Sequence, residues 1–260
     1  MRSILITFVS AAVALTSAGC GTAADGGSAS NEAARRQAAI DAALEATKII
    51  GLAALAVRPC GDLQAIFEGG MPFPSCPAME THIVESAIEL NMDYASGCAP
   101  VAGRSLRGSL RGQFAPSTSI FDFALEDVAA GADGGVAGNV RGRIGGGAEP
   151  LFVLEATLTR AAGATVRGNA TTTHDPLTAS LQIADASLMV TDSQGAHSVR
   201  LSAVAIASAS AVLLPESGAA VVRPVLPDGD DGSNQTFHLE FTPQTSLDRT
   251  VAVTARPAAP

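Results

Sequence analysis

The sequence predicts a mainly β protein of the α+β type: a long curved antiparallel β-meander or half-barrel with one N-terminal Ala-rich helix packed on its concave apolar face. Three observations predict it. Apolar and polar residues alternate with a period of two in run after run between about residues 79 and 255. Gly, Pro and Asp clusters separate these runs and leave no room for crossover helices, so successive strands pair as antiparallel neighbours. Residues 31–57, by contrast, lose Gly and Pro almost completely and fill with Ala.

The helix comes first in the chain. Glu32 lies near its positive end and Pro59 stops it. Its first half is weakly amphipathic through Ile40 and Leu44, whereas Ile49 to Val57 is apolar all round and has to be buried. In the β part, Ile88, Leu90, Met92 and Tyr94 alternate with Glu89, Asn91 and Asp93. After the turn-like stretch from Ala95 to Gly103 the alternation resumes with Leu106, Gly108, Leu110, Gly112 and Phe114. These two runs are expected to form a hairpin with Cys98 in its connection. Further rows follow: Phe121, Phe123 and Leu125; Val136, Val140 and Ile144; Phe152, Leu154 and Leu158; Val166 and Ala170; Leu177, Ala179, Leu181 and Ile183; Val199 and Leu201; Phe237, Leu239 and Phe241. Asp192-Ser193-Gln194-Gly195 reads as a hairpin turn. Gly108, Gly112, Gly138, Gly142 and Gly168 all fall on the apolar face. Glycine within a strand marks a bend or a close backbone approach, so the sheet is expected to be strongly curved, with the glycines smoothing its inner side for the helix.

Three cysteines follow Cys20, which allows three pairings with one thiol left over. The strands favour Cys76 with Cys98, since Cys76 precedes the expected hairpin and returns beside it. That bridge would contribute roughly 3 kcal/mol in the chain-entropy account. Cys60 is then free, as a small buried hydrophobe or as a reactive thiol.

Residues ahead of Cys20 have the form of an export signal. Arg2 gives a positive start, Ile4 to Leu15 is an apolar run too short to span a bilayer, and Thr16-Ser17-Ala18-Gly19 is a small-residue cleavage region. This segment resembles that of bacterial lipoproteins, and it departs from their pattern at Ser17, where Leu is usual. The resemblance implies residues 1–19 as a signal peptide, cleavage before Cys20, and lipidation of Cys20. An ordinary secretory signal with Cys20 in a disulfide is the other reading. Several acyl chains would hold the protein stably on a membrane, because each buried methylene contributes about 0.8 kcal/mol. Gly21 replaces the aspartate that marks inner-membrane retention, so the family implies the outer membrane. Residues 20–30, small and polar, then read as a flexible tether, and 31–260 as one domain.

A second resemblance lies further along. Cys76-Pro77, the alternating run to Asp93-Tyr94, Ser96-Gly97-Cys98 and Gly103-Arg104 before Gly108 are similar to a pattern in uncharacterised lipoproteins of Gram-negative bacteria. It covers about residues 76 to 114, implies a long antiparallel β-meander, and implies no catalytic residue.

Charge excludes some functions. The net charge is −9, Lys48 is the only lysine, and no basic stripe offers itself to nucleic acid. Trp is absent and Tyr94 stands alone, which argues against the aromatic girdles of a membrane barrel. Arg107, Arg111, Arg141 and Arg167 form a ladder opposite the apolar rows. It is either an anion-contacting surface or a solvated face balanced by Asp122, Glu126 and Glu155. His82, His174, His197 and His238 are scattered without metal spacing, and no HExxH, CxxC, GxSxG or P-loop string occurs. His238 and Glu240 would share a strand face, most simply an exposed polar one. Asp228, Asp230 and Asp231 are the best metal candidates, but they miss the EF-hand register and read otherwise as a solvated acidic turn. No cofactor is expected. The functional expectation is a non-catalytic envelope lipoprotein, structural or partner-binding, with a membrane as its partner through the anchor. A carrier of lipid or another apolar ligand is the alternative, an enzyme of unfamiliar type a third. Whether the space between helix and sheet is packed or hollow separates the first two.

Overall fold

The computed structural model of the chain describes residues 26–63, 66, 75–94, 97–101, 104–131, 134–145, 151–161, 163–174, 180–206, 213–225 and 235–257. Helix α1 (Gly26–Val57) runs into a 3-10 turn (Arg58–Asp62). The strands follow: β1 (Ala78–Val84), β2 (Ala87–Asp93), β3 (Cys98–Val101), β4 (Arg104–Ala115), β5 (Ile120–Ala130), β6 (Val136–Gly145) and β7 (Leu151–Arg160). The second half comprises β8 (Thr165–His174), β9 (Leu181–Asp192), β10 (Gly195–Ile206), β11 (Pro215–Val225), β12 (Gln235–Phe241), the short helix α2 (Pro243–Asp248) and β13 (Ala252–Pro257). All strands join one 13-stranded sheet in the order β1-β2-β4 through to β13, with β3 paired to β4 off that path. Every pairing is antiparallel and the sheet is not closed, so the expected curved meander with one helix is the observed fold.

Period-two alternation is visible in the burial of each central strand. Along β7, Phe152, Leu154, Ala156 and Leu158 are buried while Val153, Glu155, Thr157 and Thr159 are exposed. The buried rows of β5 to β12 turn toward α1. From Ile49 to Val57 every helical residue is buried, as an all-round apolar segment requires. Each Leu or Ile buried there contributes about 1.5–3 kcal/mol. Residues 31–37 are exposed, so the helix extends beyond the core at its N-terminal end. The helix begins at Gly26, five residues before its expected start, so the second half of the expected tether is helical. Propagation from an established helix adds a hydrogen bond for each residue fixed, which offsets the poor propensity of Gly and Ser there.

Two expectations are corrected. The glycines on the apolar rows do bend the sheet, but they do not smooth a bed for α1. A Cβ at Gly112, Gly138 or Gly168 would lie 2.0–2.3 Å from a carbonyl oxygen of the neighbouring strand, and all three have positive φ. Gly108 faces a bulge at Asp127 (φ 51°), and Gly218 likewise faces Ala203 (φ 50°), so each bend pairs a strained residue with an adjacent glycine. Close approach of the helix comes instead from its own Gly51, against Ile206, Leu181 and Leu213. The second correction is the connection before β4. It contains β3, where Cys98 pairs with Leu106 and Val101 with Arg104, while β2 pairs with the later part of β4 from Asp93–Ser109 to Ile88–Phe114. Leu177 and Ala179 lie outside the described residues.

Candidate functional site

Sequence-predicted residues divide clearly. Cys20 and the acidic run with Asp228, Asp230 and Asp231 lie outside the described residues. Cys76 and Cys98 form the expected disulfide, with Cα atoms 5.5 Å apart, and Cys60 is free and buried. Burial first of all pushes the Cys60 thiol far above its usual range, so it is held protonated and inert.

The arginine ladder lies on the outer face, where Arg141 and Arg111 are balanced by acids and Arg167 stands between Thr157 and Met189. Arg141 pairs in register with Asp122 on one side and Glu155 on the other. Arg111 lies 4.0 Å from Glu126, and Arg107 donates to the Gly131 carbonyl at 2.6 Å. Such exposed pairs contribute little energy. Their consequence is a polar outer face.

The four histidines stay apart. His238 sits on the outward row of β12 with Glu240, opposite Thr254 of β13. His174 is buried at the end of β8, where its Nδ1 accepts from Arg58 Nε at 3.4 Å, and Arg58 is held in turn by Asp62 at 3.0 Å. His197 points inward with Val199 and Leu201 and is buried, its Nδ1 unmatched by a hydrogen bond. Desolvation lowers its pKa, against a smaller raising effect from Asp192. Among the described residues no group of three or more His, Cys, Asp or Glu side chains is placed to hold a metal ion.

Sequence reasoning missed the charged mouth of the interior. There Glu45 of α1 meets Arg160 of β7 at 2.8 Å, with side chains only 20% and 10% exposed, although the contact is off the line a hydrogen bond needs. Asp41, Lys48, Asp192 and Arg249 complete a cleft of about 250 Å³ floored by Leu44, Ala164 and Leu214. Three cations face three anions, so the cleft ties the helix to the sheet and has no net attraction for a charged ligand. Residues 45 and 160 belong to different elements, and no local spacing signals their meeting. A second, open groove of about 380 Å³ crosses the outer face of β1, β2 and β4 and includes Glu80, His82, Glu89 and Arg111.

The other end of α1 is fixed by the chain's one tyrosine. Tyr94 is fully buried and its hydroxyl donates to the Ala56 carbonyl, one of the four that a helix end leaves without an internal partner. Burial raises the phenol well above its ordinary pKa, so it remains a donor.

Compared with known proteins, the chain matches no protein-family model, no curated protein and no solved structure. Among the described residues no helix is long and apolar enough to cross a membrane.

Proposed function

We propose that this chain is a non-catalytic lipoprotein of the cell envelope, anchored by lipid at Cys20, whose domain serves as a structural or partner-binding module. The observation that carries the module reading is the filled interior. Side chains around a space wide enough for a lipid chain would keep surface accessible to a water-sized sphere. Ile49, Ile50 and Leu55 of α1, and Phe121, Phe152 and Leu158 facing them from the sheet, keep 0–1%. The chain's own helix thus occupies the place a carried ligand would take. Polar alternation on the outer rows, with Glu155, Thr157 and Thr159 along β7, suits a domain standing in water beside its anchor.

The anchor rests on the residues leading to Cys20, and Cys20→Ser tests it. The wild-type chain should sediment with membranes and the variant should become soluble or persist as an uncleaved precursor; identical fractionation of both would remove the anchor. Mass spectrometry of solvent extracts from the purified protein tests the module reading. A stoichiometric apolar ligand in those extracts would favour the carrier.

A further inference from the structure

The two edges of the sheet are not alike. The last strand, β13, ends in Pro257, which has no N–H to offer, a common way of blunting an edge. The first, β1, is seven residues long, contains no Pro, Lys or bulge, and among the described residues pairs, in perfect register, with β2 alone. None of its residues is fully buried, and Ile83 and Val84 are 76% and 43% exposed. A flat edge with apolar side chains is a template for another strand.

Its backbone orientation follows from the turn. Val84 and Ala87 close a two-residue connection at Glu85-Ser86. In such a hairpin the closing pair exchanges hydrogen bonds, and bonded residues then alternate along the strand. Val84, His82 and Glu80 therefore spend their backbone groups on β2, and Ile83, Thr81 and Met79 turn theirs outward.

We infer that β1 is a self-association edge, pairing antiparallel with β1 of a second copy about a two-fold axis through Thr81. The chain's own chemistry selects that occupant and register. With Thr81 opposite itself, Met79 falls opposite Ile83, Ala78 opposite Val84, and Glu80 opposite His82, each twice by symmetry. The outward-facing backbone groups form about six interchain hydrogen bonds. Glu80 and His82 meet at non-hydrogen-bonded positions, where side chains are closest. Ile83 loses its exposure against Met79, the partly buried side chain that already packs on the core. The arrangement joins two open sheets into one and does not depend on the fate of Cys20.

Cysteine cross-linking in the full chain carrying Cys20→Ser tests the inference. At the axis, residue 81 of each copy lies about 5.5 Å from its mate, within disulfide reach. The two copies of residue 83 are separated by four residues along the strand, roughly 14 Å, beyond reach. Thr81→Cys should therefore give a covalent dimer of doubled mass under mild oxidation, and the more exposed Ile83→Cys should stay monomeric. Cross-linking of both, of Ile83→Cys alone, or of neither would overturn the pairing. Glu80→Lys should weaken the dimer about two- to thirty-fold in sedimentation, and adding His82→Glu should restore it by setting a Lys–Glu pair in the same register. Equal dissociation constants for the single and double variants would refute the register even if a dimer forms.

Discussion

Strands β7 and β1 alternate by the same rule, yet one buries every second side chain and the other has no fully buried residue. Both place apolar residues on the inner side of the sheet: Phe152, Leu154 and Leu158 in β7, Met79 and Ile83 in β1. The difference lies in what stands opposite. Residues 46–57 of α1 lie across β7 and its neighbours, β2 buries Ile88, Leu90 and Met92 in the same core, and β1 lies beyond it at the sheet edge, stapled at its base by Cys76–Cys98. Alternation therefore specifies a strand and its faces, and whatever covers the inner side decides which faces become core.

Truncating the helix should break that comparison most. Leu55→Ala should cost about 2–5 kcal/mol, because a close-packed site keeps much of the cavity, while Ile83→Ala should change stability by no more than about 0.5 kcal/mol. Chemical denaturation of the two variants checks the contrast; similar losses would mean that the edge belongs to the core. Next comes the staple. Replacing Cys76 and Cys98 together by Ala opens a loop of sequence separation 22 and should cost about 3 kcal/mol. Hydrogen exchange in that variant should rise first in β1 to β3.

Tyr94→Phe removes the donor to the Ala56 carbonyl and leaves that group buried without it, for about 1–3 kcal/mol by thermal or chemical unfolding. The smallest expected effect is on pH dependence. His197 has a folded pKa below its unfolded value of about 6.5, so the unfolded chain takes up the proton first. Stability from this group is complete above that value, is lost as pH falls below it, and stops falling once the folded pKa is passed. Stability of His197→Gln should be less sensitive to pH across that window, and an unchanged slope would count against the inward placement.

Much of the architecture is legible in the residues themselves. Phe121-x-Phe123-x-Leu125 and Phe152-x-Leu154 mark strands because large apolar side chains at every second position have one sensible home. Ile49 to Val57 marks a buried helix because no face of it suits water. Strand β11 was silent because Ala219, Ala220, Val221 and Val222 put similar side chains on both faces, and β3 is too short for a period to register. Helix α2 left a fainter sign in Thr242-Pro243, whose first turn is fixed by the Thr242 N–H donating to Thr245 Oγ1 at 3.0 Å. The Glu45–Arg160 contact and the tyrosine at the helix end were beyond reading, since each depends on how far the sheet curls before it meets α1.

Amide hydrogen exchange across α1 tests the central claim that the helix is core and no lid. Residues 46–57 should exchange only through global unfolding, at the slowest rates in the molecule, while β1 exchanges through local opening at far lower cost. Exchange in residues 46–57 as fast as in β1 would contradict the account and turn the interior into a space that opens.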